Sequence, residues 1–330
     1  MKTVRWGLLS TANINRRLIP AIRESAQGEL TAVSSRSQQA ADAYAAKWEI
    51  PHAFGSYEAM LASDEIDAVY IGLPNHLHAE WAIKAMRQGK HVLCEKPFAL
   101  SLAEVDEMTA VSEQTGMVLA EAFMYRHHPQ TKIVGEWVKN GRLGDIISVQ
   151  STFNFMMANP DNVRLVPEWG GGCLWDVGSY PVSLAQFVMG GAPVSVFGNQ
   201  WLGESGVDES FSGQLLYGAG QVAQISSAFR APFHTWAEIV GTAGRLVIKR
   251  PFTGLDQPDS QLLFHHPDGT VEEIPVPEKN LYLGEVEDMH EAVINGSSSY
   301  LALSETRDHI RTILALYESA RTGLPVQLEI

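Results

Sequence analysis

Short apolar runs alternate with helix-period segments through the first 120 residues, and this alternation limits the possible folds more than any other feature. Val4-Arg5-Trp6-Gly7-Leu8-Leu9 and Leu30-Thr31-Ala32-Val33-Ser34 read as strands, as do Ala68-Val69-Tyr70-Ile71-Gly72, His91 to Cys94 and Val118-Leu119-Ala120. Between them the apolar spacing predicts helices over Ile14 to Ser25, Gln38 to Lys47, 76–88 and 101–115. Strands alternating with helices make parallel βαβ units, and successive units make a doubly wound sheet. Ser101 with Glu104 forms a capping box for the last of these helices.

After about residue 145 the rhythm changes. Ile146 to Phe155, Val194 to Trp201, Phe211 to Tyr217, Val222 to Phe229, Trp236 to Val240 and Leu246 to Ile248 are strand-like with few helices between. Gly218-Ala219-Gly220 and Thr242-Ala243-Gly244 read as hairpin turns. Helices are predicted at 175–189, 283–295 and 304–322, and a mobile hairpin or loop at 252–280. The expected fold class is α/β in two domains. A doubly wound parallel sheet occupies 1–122, and an α+β domain on an open, mostly antiparallel sheet occupies 123–330. The length of 330 residues agrees, at roughly 150 residues per domain.

A formal net charge of -14 argues against binding nucleic acid or anionic membranes broadly, since phosphate contacts need clustered Lys and Arg. A small anionic ligand is still compatible with it, because local basic residues decide that. The two cysteines, Cys94 and Cys173, have no metal-ligand spacing, so they read as reduced thiols and no metal site is expected. The N-terminus enters a strand without a signal-peptide core, and no apolar run approaches the roughly 20 residues that span a bilayer. A cytoplasmic, soluble protein is expected.

A dinucleotide fold places G-x-G-x-x-G at its first strand-to-helix turn, where backbone N–H groups approach a pyrophosphate. Here the turn is Ser10-Thr11-Ala12-Asn13-Ile14-Asn15, with all three glycine positions replaced. Small Ser10 and Ala12 still permit close approach, and the helix that follows still offers its N-terminal dipole. The second strand ends Ser34-Ser35-Arg36-Ser37, without the acid that usually holds an NAD ribose. Arg36 can pair with a 2′-phosphate, and Ser35 and Ser37 can donate hydrogen bonds, so NADP is favoured and NAD stays open. Leu73-Pro74-Asn75-His76-Leu77-His78 follows the third strand, where such sheets place ligand-facing loops, with Asn75 as a candidate helix N-cap. His76 and His78 lack a carboxylate or cysteine partner that would suggest a metal.

His91-Val92-Leu93-Cys94-Glu95-Lys96-Pro97 ends a buried-looking strand on a lysine pinned by a proline. Lysine is a poor choice there unless its ammonium has a task, which suggests chemistry beside the bound dinucleotide. Whether the Lys96-Pro97 bond is cis or trans is open at this stage.

These segments, with Arg5-Trp6-Gly7-Leu8-Leu9-Ser10-Thr11-Ala12, Glu121-Ala122-Phe123-Met124-Tyr125-Arg126-His127-His128-Pro129 and Gly170-Gly171-Gly172-Cys173-Leu174-Trp175-Asp176-Val177-Gly178-Ser179-Tyr180, resemble the Gfo/Idh/MocA group of NAD(P)-dependent sugar and cyclitol oxidoreductases. The resemblance spans both halves in the family's order. It implies an N-terminal Rossmann domain and a C-terminal domain whose open sheet often forms an oligomer interface, here a homodimer or higher homo-oligomer. The family's signature lysine maps onto Lys96, and its second signature onto Asp176 and the residue four later. Many members have histidine there, whereas this chain has Tyr180, which resembles the dihydrodiol/D-xylose dehydrogenases and glucose–fructose oxidoreductase. Those tyrosine-type members commonly use NADP. The analogy places Glu121 and Arg126 near the nicotinamide and substrate entrance, with a linker reading open for each, and Glu95, Lys96 and Arg126 are expected among the cofactor-binding residues.

Asp176 and Tyr180, i and i+4 at a helix start, project from one face. A phenol that ionises near pH 10 is a poor base at neutral pH, and a nearby ammonium improves it, so Lys96 with Tyr180 makes a workable acid–base pair. Asp176 then orients a neighbouring hydroxyl. Arg164, Trp169 and Trp175 are candidates for the wall of a sugar site, with core or interface packing the other reading of either tryptophan. The expected substrate is a monosaccharide or cyclic diol, with aldopyranose C1 oxidised to a lactone. A keto-sugar or anhydrosugar reductase and a non-catalytic NADP-binding regulator are the alternatives.

Overall fold

The computed structural model describes residues 2–255 and 262–328. The chain runs β1 (Val4–Leu9), α1 (Asn15–Glu24), β2 (Gly28–Ser34), α2 (Gln38–Trp48), β3 (His52–Phe54), α3 (Tyr57–Leu61), β4 (Ala68–Ile71) and α4 (His78–Arg87). It continues through β5 (His91–Glu95), α5 (Leu102–Thr115), β6 (Leu119–Ala122), α6 (Met124–His127), α7 (Pro129–Lys139), β7 (Ile146–Met156) and α8 (Ser179–Met189). Strands β8 (Ser195–Leu202), β9 (Asp208–Leu216), β10 (Val222–Ala228), β11 (Arg230–Gly241), β12 (Gly244–Ile248), β13 (Leu262–His265) and β14 (Val271–Ile274) follow. Helices α9 (Leu283–Asn295) and α10 (Leu303–Thr322) and strand β15 (Val326–Gln327) complete it.

Two compact units result: Met1–His127 with Tyr282–Thr306, and His128–Leu281 with Arg307–Ile330. In the first, a parallel sheet has the order β3-β2-β1-β4-β5-β6. Every residue of β4 is buried, as are the last four of β1, the pattern of strands covered on both faces. The return of Tyr282–Thr306 to this unit is absent from the single-boundary sequence reading. Leu283, Val286 and Met289 on α9 join the core formed by Trp6, Leu18 and Ile22, so burial of one apolar stripe carries the distant segment back. Buried His290 fixes it: Trp6 Nε1 donates to His290 Nε2 at 2.9 Å, which leaves Nδ1, 3.0 Å from Ser25 Oγ, as the protonated nitrogen.

The capping box is present in altered form. Ser101 Oγ accepts from Glu104 N at 3.2 Å, but the Glu104 carboxylate takes the N–H of Leu100, one residue earlier than the standard pattern. Asn75 is not a helix cap: α4 begins at His78 behind Leu77, with no side-chain cap, because a single 3₁₀ turn over Asn75–Leu77 comes first.

The second unit holds a nine-stranded sheet, β14-β13-β12-β11-β7-β10-β9-β8-β15, antiparallel throughout except for the central β7–β10 pair. Both glycine-containing turns close hairpins, β9–β10 and β11–β12. Of the loop expected at 252–280, residues 256–261 lie outside the described residues; β13 and β14 form an antiparallel hairpin in the remainder. One face of this sheet is exposed at its centre. Its central rows are polar rather than apolar: Glu238, Gln150, Gln224 and Gln214 lie side by side across β11, β7, β10 and β9, next to Thr152, Ser226 and Ser212. Exposed apolar residues, Phe197 and Leu216 among them, sit toward the β8–β9 side.

Candidate active site

Ser10, at the first fingerprint position, has φ of +120°, a conformation that normally selects glycine. Three hydrogen bonds hold it there: Asn15 Nδ2 to its carbonyl at 2.8 Å, Ala12 N to its Oγ at 3.2 Å, and its Oγ to Gly72 O at 3.4 Å. Asn15, at the third glycine position, is thus part of the turn, a role the motif search missed because it looked only for small residues. Thr11, Ala12, Asn13 and Ile14 lead into α1, whose N-terminus has no side-chain cap and no acid in its first turn. Such a terminus fits an anion. At the end of β2, Arg36 is exposed, Ser35 N donates to Phe54 O at 3.0 Å, and Ser37 Oγ caps α2 by accepting from Ala40 N. The Ser37 hydroxyl is therefore engaged in the fold.

Lys96 follows β5 and is half-buried, and its bond to Pro97 is cis. The Glu95 carboxylate accepts the Tyr70 hydroxyl and, at 3.2 Å, the Lys96 N–H. His78 turns inward, away from the ligand-facing position expected of it. Its ring is fully buried, with Nδ1 2.9 Å from Pro97 O and Nε2 2.8 Å from Leu73 O. Leu73 is buried, and Pro74 and Asn75 are half-buried in the same loop. Arg126 is also buried, in an ion pair with Glu305. Glu121 is buried beside it, accepting from Thr306 Oγ1 at 2.9 Å. Burial pushes the Glu121 carboxyl up to about 7, while Thr306 and the Phe98 N–H pull the other way. Glu285, on α9, has neither carboxylate oxygen partnered among the described residues, and burial with the Glu95 charge holds its pKa well above the carboxylate range. Burial likewise raises the Cys94 thiol, which suits an inert core residue.

In the second unit a π-helical turn, Leu174–Gly178, leads into α8 and carries Asp176; Tyr180 is the second residue of α8. Wide turns of this kind recur at functional sites. Asp208 anchors the approach: its carboxylate takes Leu174 N at 2.8 Å, the Cys173 thiol at 3.1 Å and the Tyr317 hydroxyl at 2.8 Å. Gly172, at φ +123°, passes so close that a Cβ there would lie 2.0 Å from Asp208 Oδ1. Asp176 accepts from Arg164 Nε at 2.6 Å, so these two candidates meet directly. Tyr180 is buried, its ring 5.4 Å from both Phe153 and Phe252, which stack on one another. The two tryptophans diverge. Trp169 is exposed, while Trp175 is buried against Tyr317 and lines a cleft of about 260 Å³ that includes neither Asp176 nor Tyr180. Asp208 and Glu285 escaped the sequence reading, since isolated acids carry no spacing signal. Among the described residues no group of three or more His, Cys, Asp or Glu is arranged to hold a metal, and no helix is long and apolar enough to cross a membrane.

A dinucleotide-type parallel sheet with a lysine at a strand end is joined in sequence to a unit carrying the Asp176–Arg164 ion pair and the buried Tyr180. Residues 4–123 match the model of the oxidoreductase family with an NAD-binding Rossmann fold, and residues 131–247 match the GFO/IDH/MocA C-terminal domain. The chain belongs to the Gfo/Idh/MocA oxidoreductase family. It is 39% identical to D-xylose 1-dehydrogenase (NADP(+)) 2 of Haloferax volcanii over 98% of this chain and 99% of that one. The crystal structure of a 3-ketoreductase from Actinomadura kijaniata with NADP and TDP-benzene is similar at TM-score 0.89 and 28% identity, over 96% of this chain and 98% of that one. An aldose–aldose oxidoreductase from Caulobacter crescentus shares the fold, at TM-score 0.92 and 24% identity over 99% and 100%.

Proposed function

We propose that this protein is an NADP-dependent sugar oxidoreductase that oxidises an aldopyranose at C1 to its lactone. The observation that carries the reading is Asp176, held by Arg164, four residues before Tyr180, packed on the Phe153–Phe252 stack, in a chain whose other unit carries Lys96 at the C-terminal end of a strand of a dinucleotide-type sheet. The Haloferax volcanii relative, named for NADP and D-xylose, supports both the cofactor and the substrate class. Arg36 in place of an acid at the end of β2 supports the phosphorylated cofactor.

The turn Ser10 to Ile14 and the α1 N-terminus would hold the pyrophosphate, with Arg36 and Ser35 at the adenosine end. When bound, the nicotinamide supplies a hydride acceptor at C4. Tyr180 takes the proton of the C1 hydroxyl as the hydride leaves the same carbon, so the C1–O bond becomes a carbonyl. Lys96 stabilises the phenolate form of Tyr180 and donates a hydrogen bond to the reacting oxygen. Asp176, oriented by Arg164, accepts from a neighbouring sugar hydroxyl.

The same atoms run backward in a keto-sugar reductase, and the Actinomadura kijaniata ketoreductase favours that as the second reading. A non-catalytic regulator would have no need for Lys96, Asp176 and Tyr180 together. Turnover of NADP⁺ with a panel of aldoses, and of NADPH with keto-sugars, read at the nicotinamide absorbance band, separates the three. Tyr180→Phe and Lys96→Met should each lower kcat at least about 100-fold with cofactor binding intact. Near-wild-type turnover in either variant would remove that residue from the mechanism. We further propose a homodimer formed through the open sheet face of the second unit.

A further inference from the structure

Residues 95–98 make a turn in which the Lys96 N–H and the Pro97 carbonyl each meet a nearby side chain. Lys96 N donates to Glu95, and Glu95 is in turn held by the Tyr70 hydroxyl. Pro97 O lies 2.9 Å from His78 Nδ1, and the Phe98 N–H lies near the Glu121 carboxyl, whose Oε2 accepts from Thr306 and whose Oε1 has no hydrogen-bond partner among the described residues. His78 opens α4, and its second nitrogen lies 2.8 Å from Leu73 O in the loop after β4, so the one N–H of the neutral imidazole serves one of the two carbonyls at a time. Glu121 lies on β6, which pairs with β5. The residues that follow Lys96 are therefore held by His78 from a helix and flanked by Glu121 from the neighbouring strand. Both side chains are buried, and neither has a step in the reaction proposed above.

The expense of this arrangement argues that it does more than fill space. A carboxyl and an imidazole are both removed from water, and an apolar pair at the same positions would spare that desolvation cost. An apolar side chain at 78, however, would leave the Pro97 carbonyl without the imidazole beside it, and the turn would be free to shift. A displacement of about 1 Å in a reacting group can cost on the order of 100-fold in rate.

We propose that His78 and Glu121 are positioning residues for Lys96, holding the Lys96–Pro97–Phe98 turn so that the ammonium is presented in one place. The inference rests on the reading of Lys96 as a proton-handling residue. His78→Gln, His78→Phe and Glu121→Gln are compared with Lys96→Met for kcat, KM of the sugar, NADPH affinity by fluorescence titration, and melting temperature. The expected result is a kcat lowered about 10- to 100-fold in the His78→Phe and Glu121→Gln proteins, with NADPH affinity within about twofold of wild type and a partial recovery in His78→Gln.

A kcat within about threefold of wild type in His78→Phe and Glu121→Gln, with Lys96→Met inactive, overturns the positioning role and leaves the reading of Lys96 standing. A loss of kcat that only follows weakened cofactor binding or a lowered folded fraction also overturns it, because a general scaffold role predicts that result. If Lys96→Met itself turns over normally, the failure belongs to the underlying reading.

Discussion

On the reading proposed above, Arg36 selects the phosphorylated cofactor, and the burial of Glu121 makes stability depend on pH. A charge-assisted hydrogen bond is worth about 1.5–3 kcal/mol, so replacing Arg36 with Glu should lower kcat/KM for NADP⁺ about 100-fold. The value for NAD⁺ should change less than about tenfold, and steady-state kinetics with both cofactors check it. Glu121 governs stability against pH. Its carboxyl, raised to about 7 mainly by burial, is protonated in the fold where the unfolded chain has already ionised. Arg126, Glu305, Thr306 and the Phe98 N–H are the groups that act on it. The stabilisation is complete below the ordinary value of 4.5 and is lost as pH rises through about 7, on the order of 3 kcal/mol in all. Melting curves should show wild type losing ground to Glu121→Gln between pH 5 and about 8. Parallel curves across that range would mean that Glu121 is already ionised in the fold.

At the scale of elements, periodicity made most of the first unit legible, because β1, β2, β4, β5 and their helices repeat one apolar pattern that burial on both sheet faces requires. Helix α7 was passed over although Pro129 stands in its first turn, since the family-like run that precedes it masked the helix start. The π-turn before Tyr180 was likewise hidden: it depends on Asp208, 32 residues after Asp176, and no local pattern encodes that contact. The docking of α9 was illegible for the same reason, as its partner Trp6 lies at the other end of the chain. His290 gives that docking a pH signature. Burial lowers its pKa to about 4, so its contribution is complete above the ordinary value of 6.5 and is lost as pH falls through about 4. This opposes the trend from Glu121, so the comparison must be between variants. His290→Gln should lie below wild type in melting temperature at pH 7, where the Trp6 and Ser25 contacts are intact, and the gap should close toward pH 4. A gap independent of pH would show that the imidazole does not titrate on unfolding.

At the scale of the whole molecule, the proposed dimer places the open sheet between copies of the chain. Glutamine, serine and threonine occupy the central rows of its exposed face. Hydrogen bonding between side chains would then supply the specificity, with Ser226 already donating to Thr152 across strands at 2.9 Å. Such a face is soluble when uncovered, so association through it should be reversible and sensitive to charge at its centre. Light scattering should report twice the 36.2 kDa chain mass at micromolar concentration. Gln224 lies on the strand at the middle of this face, between Gln150 and Gln214, and on a two-fold interface any residue near the axis meets its own copy. Gln224→Lys should therefore return the mass to that of one chain without altering the melting temperature of the folded unit by more than about 2 °C. A variant that keeps the doubled mass would show that the contact lies elsewhere on the surface.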